Sequence, residues 1–310
     1  MGGVVQASGS TRFDPSYYNR SGAADLMERL HDEPMLMQGP VGSVLMSGEG
    51  SSDVPPAFWN IAEPETVERV HALYAAAGAQ IMLTNTFQAS SPALVRDGIE
   101  QGADEVNRAA VACARACCPQ FVVGSIGACG IDWFEKETPA YRAARAAYRE
   151  QAYALLASGV DALMLETFVS IRELEPAVAG VLDVAEGMPV WMSFAIDDEG
   201  SLLGDGLNVE AAVVWAERHG ASAVGVNCCS VDAATRAVPR MAASARTPVM
   251  IRPNAGSPRR DEDERLVWAE DAEAHARAAR VWVDAGAHLV GGCCGTTAVT
   301  TAALAEVLEL

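Results

Sequence analysis

The stretch HLVGGCC, residues 288–294, begins as a short apolar run and ends on glycines and two adjacent cysteines. A run of this kind reads as a β-strand buried on both faces, because it carries no polar alternation. Seven more runs of the same character precede it. They are PMLMQG (34–39), QIMLTN (80–85), FVVGSIG (121–127), DALMLET (161–167), PVWMSFA (189–195), SAVGVNC (222–228) and TPVMIRPN (247–254). Ala/Glu/Arg-rich helical stretches follow each one. PETVERVHALYAAAG (64–78) has Gly78 as its C-terminal stop. TPAYRAARAAYREQAYALLASG (138–159) has Thr138 as N-cap and Pro139 at the first helical position. Eight strand–helix units predict a single (β/α)₈ TIM barrel of the α/β class. A doubly wound open sheet is the alternative, and the absence of G-x-G-x-x-G after the first strand counts against it.

Composition sets the remaining bounds. The chain has 310 residues, half of them hydrophobic, which suits one barrel over residues 21–310. Residues 1–20 read as a poorly ordered extension without signal-peptide order. No apolar run approaches the roughly 18 residues of a membrane span, so the expectation is a cytoplasmic protein with no membrane partner. The formal net charge of −19 keeps the chain soluble and repels phosphate backbones, which excludes nucleic acid as a partner. Lys136 is the only lysine and lies before a helix, so no Schiff-base lysine stands at a strand end.

In a barrel, chemistry gathers at the C-terminal ends of the strands. Those ends carry Gln38-Gly39, Thr84-Asn85-Thr86, Ser125, Glu166-Thr167, Ser193, Asn227-Cys228-Cys229, Asn254 and the glycine–cysteine segment 291–295. Paired cysteines on the sixth and eighth rims would converge on one mouth. Such a soft donor set suits zinc, and three sulfurs leave one tetrahedral position open. Gly291, Gly292 and Gly295 would give the backbone freedom to turn both adjacent sulfurs inward. Two other readings stand beside this one: buried inert cysteines, or a strained disulfide between Cys293 and Cys294, which a reducing compartment disfavours. Cys113, Cys117 and Cys118 read as buried small residues of an Ala-rich helix. The five histidines are expected away from the mouth. SGEGSSDVPP (47–56) and GSPRRDEDERLVW (256–268) read as mobile loops over it.

GVNCCS and VGGCCGTT resemble the zinc signature of the homocysteine S-methyltransferase family, whose betaine-, S-methylmethionine- and corrinoid-linked members share a fold. QGPVGSVL, LTNTFQAS, VGSIGACG, DALMLETF, MSFAIDDEGSLLGDG and IRPNAGSP resemble its other rim segments, in order, over about residues 30–300. The resemblance implies a (β/α)₈ barrel, a zinc cofactor and transfer of a methyl group from an activated donor to a zinc-bound thiolate, homocysteine giving methionine. It assigns the metal ligands to Cys228, Cys293 and Cys294, with Cys229 a neighbour; Cys129, just past the third rim, reads as a stray small residue, the alternative being a fourth ligand. Asn227 would support the first ligand. Glu166 matches the carboxylate that receives the acceptor's ammonium, the alternative being an ion pair inside the barrel. Gly39, Thr86 and Asn254 would line the substrate site, with Arg252 and Asn254 either touching a substrate carboxylate or capping the barrel.

Two departures from the family pattern stand out. The first rim reads Gln38-Gly39-Pro40-Val41-Gly42-Ser43 where the family has Asp-Gly-x-x-Gly-Thr, so an expected charge is missing and the acceptor preference is expected to shift. Gln88 stands where betaine-type members carry tyrosine. Phe58 and Trp59 either present an aromatic face to a cationic donor or pin their loop. A corrinoid donor would have to arrive on a separate protein. The alternatives to homocysteine methylation are exchange with such a protein, a different thiol acceptor, or a zinc-binding relative without activity.

Overall fold

A computed structural model describes residues 13–47, 54–133, 135–256, 258–262 and 266–310. Eight parallel strands form the central sheet: β1 (Met35–Leu36), β2 (Ile81–Leu83), β3 (Phe121–Ile126), β4 (Ala162–Phe168), β5 (Val190–Ala195), β6 (Ala223–Asn227), β7 (Val249–Arg252) and β10 (Ala287–Val290). Each falls within one of the eight predicted runs, give or take a residue at its end. A parallel bridge between Met37 and Ile81 joins β1 to β2 and closes the ring. The architecture is a single (β/α)₈ barrel.

Alternation along each strand sorts the apolar residues into two cores. Met35, Ile81, Phe121, Ala162, Trp191 and Met250 face the lumen, where Leu26 and Leu30 of the helix Arg20–Asp32 join them as a floor. Leu36, Met82, Val122, Leu163, Met192 and Val224 face outward onto the helical ring. The caps predicted from sequence form as written. Thr138 accepts from the Tyr141 N–H at the start of Pro139–Ala157, and Gly78 takes φ +97° just beyond Pro64–Ala76.

Two expectations need correction. Of the extension predicted over residues 1–20, residues 1–12 lie outside the described residues, but residues 13–20 belong to the folded body. Pro15–Tyr17 is a 3₁₀ turn, and the buried Tyr18 hydroxyl donates to the Val184 carbonyl at 2.8 Å. That bond and the burial of an aromatic ring outweigh the polar character of the segment. The second predicted loop contains an antiparallel hairpin, β8 (Pro258–Arg260) with β9 (Leu266–Trp268). Most of the first, residues 48–53, lies outside the described residues.

Candidate metal centre

The lumen turns polar where the inward alternation reaches the strand ends. Ser125, Glu166, Ser193, Asn227 and Arg252 continue the face occupied lower down by Phe121, Ala162, Trp191, Ala223 and Met250. All five are buried. Ser125, Glu166 and Arg252 line a cavity of about 830 Å³ at the mouth.

The cysteines enter this cavity through irregular backbone. Cys228 follows β6 in the left-handed region at φ +53°, a conformation that costs a non-glycine residue energy and marks functional segments. Beyond β10 the chain turns at Cys293, whose carbonyl accepts from the Thr296 N–H at 3.1 Å. The freedom expected of three glycines is needed for φ only at Gly295, at +80°; a Cβ there would also lie 2.2 Å from the Trp268 ring. Gly292 serves a close approach instead, since a Cβ would meet Thr296 Oγ1 at 2.1 Å.

Cys228 Sγ lies 3.1 Å from Cys293 Sγ and 3.9 Å from Cys294 Sγ, and all three sulfurs fall within 4.8 Å of one another. All eight cysteines are free, so Cys293 and Cys294 form no vicinal disulfide. Hydrogen bonds from Cys228 and Cys294 hold the Cys293 thiol well below its usual range, with Arg252 and Asn227 adding to them. Donation to Cys293 pushes Cys228 up. Cys294 accepts from Cys228, but its bond to Cys293 and its burial push it up to about 12. Cys293 is thus the most acidic thiol of the three. Cys229 is buried beside the cluster and outside it. Cys129 is buried, and its N–H donates to the Tyr148 hydroxyl. In the Ala-rich helix, Cys113 is buried as expected, but Cys118 is exposed beyond the helix end.

Asn227 ties the cluster to β4 and β5. Its Nδ2 donates to Thr167 Oγ1 at 2.7 Å and to Cys293 Sγ at 3.6 Å. Its Oδ1 accepts from the Ser193 hydroxyl at 2.7 Å and the Thr167 N–H at 3.1 Å. Thr167 sits at φ +65° at a register shift in β4, which lets both Glu166 and Thr167 line the cavity. The segment after β7 binds both cysteine loops through its backbone. Asn254 N donates to Cys229 O, Cys293 N to Pro253 O, and Ala255 N to Cys294 O.

Glu166 is an ion-pair partner. Its Oε2 accepts from Arg252 Nη1 at 2.6 Å, and its Oε1 from the Ser125 hydroxyl. Arg252 is 2% exposed, and its Nε has no partner among the described residues. Gln38 is 1% exposed and bonded on both sides: Nε2 donates to Leu83 O at 3.2 Å, and Oε1 meets His71 Nδ1 at 2.9 Å. The expectation that no histidine nears the mouth therefore fails for His71. It reaches Gln38 from the helix Pro64–Ala76, and burial pushes it down to about 4. A buried polar residue on an amphipathic helix carries no periodic signal that could have revealed this.

Gly39 and Thr86 line the cavity. Thr86 belongs to a closed hydrogen-bond set, in which it meets Thr84 Oγ1 at 2.5 Å and donates to Ser125 O at 2.6 Å. Phe58, Trp59 and the Asn254 side chain do not line it. Phe58 packs on Ala57, Leu94 and their neighbours, and Trp59 packs on the main core, so both hold their loop. The aromatic walls are Phe87 and Trp268, with Met46, Pro56 and Val41 beside them.

Comparison with known proteins agrees with this geometry. The family model described as homocysteine S-methyltransferase matches residues 35–308. The homocysteine S-methyltransferase of Escherichia coli is 30% identical over 268 residues, which is 79% of this chain and 84% of that protein. The methionine synthase of Mycobacterium leprae is 29% identical over 300 residues, 88% of this chain, but the chain spans only 24% of that protein's length. The crystal structure of the homocysteine methyltransferase MmuM from Escherichia coli, in its metallated form, superposes with a TM-score of 0.73 at 25% identity, covering 90% of this chain and 99% of that one. The chain belongs to the homocysteine S-methyltransferase family, a family of methyltransferases.

Proposed function

We propose that the chain is a zinc-dependent S-methyltransferase that moves a methyl group from an activated small-molecule donor to a thiol, with homocysteine as the family's acceptor. The observation that carries this reading is the convergence of Cys228, Cys293 and Cys294 in one cavity with apolar walls.

The donor set suits zinc. Zinc–thiolate bonds of about 2.3 Å place tetrahedral sulfurs about 3.8 Å apart, a spacing that 3.1 and 3.9 Å bracket. Three protein sulfurs leave a fourth position for the acceptor. Bound there, zinc supplies the Lewis acidity that keeps a coordinated thiol deprotonated at neutral pH. Asn227 fixes the Cys293 sulfur, and Arg252 places a positive charge where the thiolates gather. Phe87, Trp268 and Pro56 wall the cavity with apolar surface. The acceptor sulfur forms the new carbon–sulfur bond while the donor's methyl bond breaks, its electron pair leaving with the donor. The thiol proton goes to solvent. Such an in-line displacement depends on alignment more than on an acid or base.

The test is product formation. Zinc-loaded protein is given homocysteine with S-methylmethionine, betaine or a methylated corrinoid protein, and methionine is read by mass spectrometry. Methionine is expected with at least one donor, and its loss is expected in Cys294→Ala. Absence of any methyl thioether with every donor would contradict the reading and favour a zinc-binding relative without activity.

A further inference from the structure

Among the described residues that line the cavity, the one carboxylate, Glu166, is already paired, and Gln38 and Arg252 stand beside it as hydrogen-bond donors. Leu83 O can only accept, so the Gln38 amide nitrogen must face it and the amide oxygen must face His71. His71 Nδ1 therefore carries the hydrogen, and its buried Nε2 has no partner among the described residues. One Nε2 hydrogen of Gln38 goes to Leu83 O. The other remains a donor on a side chain that lines the cavity. Glu166 has both oxygens engaged, by the Ser125 hydroxyl and the Arg252 guanidinium. Arg252 lines the same cavity, and its Nε, buried behind that lining, has no partner among the described residues.

We propose that the mouth selects an acceptor thiol that carries a carboxylate and no ammonium, with Arg252 and Gln38 reading the carboxylate and His71 acting as a positioning residue for Gln38. The proposal rests on the methyl-transfer reading of this site. An ammonium brought to Glu166 enters the shell of a guanidinium, a like charge, while the glutamate it would pair with is already neutralised. Gln38 adds no charge to offset the desolvation of that ammonium. A carboxylate gains charge-assisted bonds from Arg252 and an amide N–H from Gln38.

Three thiols of one chain length separate these contributions: homocysteine, γ-mercaptobutyrate, which lacks the ammonium, and γ-aminopropanethiol, which lacks the carboxylate. Binding to zinc-loaded wild type is measured by calorimetry, with zinc content assayed in parallel. Mercaptobutyrate is expected to bind about tenfold more tightly than homocysteine, and aminopropanethiol most weakly. Gln38→Glu should move the ratio toward homocysteine. His71→Leu should erode the preference, and His71→Asn, which keeps an N–H donor, should restore it. Homocysteine binding as tightly as mercaptobutyrate, aminopropanethiol rivalling either, or no thiol binding to zinc-replete protein overturns the proposal. Homocysteine turnover without the preference overturns this inference alone. Tight mercaptobutyrate binding without turnover of any thiol overturns the methyl-transfer reading alone.

Discussion

Along β4, Ala162 and Met164 face the lumen among apolar neighbours, whereas Glu166, two residues on, meets Ser125 and Arg252. The same change occurs along β6, from Ala223 to Asn227, and along β7, from Met250 to Arg252. One alternation thus serves a dry floor and a polar mouth. Floor residues act by filling volume, so their loss costs stability in proportion to the cavity left. Mouth residues act by holding charge and sulfur in position, so their loss costs binding first.

Trp191→Ala tests the division most severely. Trp191 is a large, fully buried side chain of the floor, and its removal is expected to cost about 3–5 kcal/mol in chemical denaturation. The folded fraction should keep its full zinc content. Zinc lost together with stability would break the separation between floor and mouth.

His71 links the two regions, because it is buried in the helical layer yet bonded to the rim. Its folded value of about 4 lies below the ordinary 6.5, so between those values the unfolded chain binds more protons. Stability is therefore complete above about pH 6.5 and falls as pH drops toward 4, by about 3 kcal/mol in all from this group. Denaturation midpoints compared across that window should show a slope that His71→Asn flattens by this amount. An unchanged slope would mean that His71 is not held neutral.

Asn227→Ala is expected to act more gently and only at the mouth. It removes the bond to Cys293 and the tie to Thr167 while leaving the three sulfurs in place. Zinc affinity should fall about 10–100-fold in a chelator competition, with little change in folding. An unchanged affinity would make Asn227 a spacer.

The barrel was legible because strands buried on both faces leave continuous apolar runs, and each of the eight observed strands matches one to within a residue. The convergence of the three sulfurs was legible because cysteine pairs are rare and stood at two strand ends. The hairpin at 258–268 was not, since its arginines and acidic residues mask any alternation. Of the two readings open for Phe58 and Trp59, loop pinning agrees with their packing, while the aromatic wall of the cavity comes from Phe87 and Trp268, which no local pattern marks. Glu166 was placed correctly at the mouth, but its pairing with Arg252 depends on two strands that are distant in sequence. The same holds for His71 and Gln38, which meet across a helix–strand contact that no local pattern encodes.

The proposed methyl transfer requires that Cys228, Cys293 and Cys294 together hold one zinc ion. Metal analysis of purified wild type and Cys228→Ala, both verified as folded by circular dichroism, tests it most directly. About one zinc per wild-type chain and near-complete loss in the variant are expected, because the variant lacks one of three sulfur ligands. Zinc-free wild type after zinc loading, or a variant that keeps its zinc in full, would contradict it.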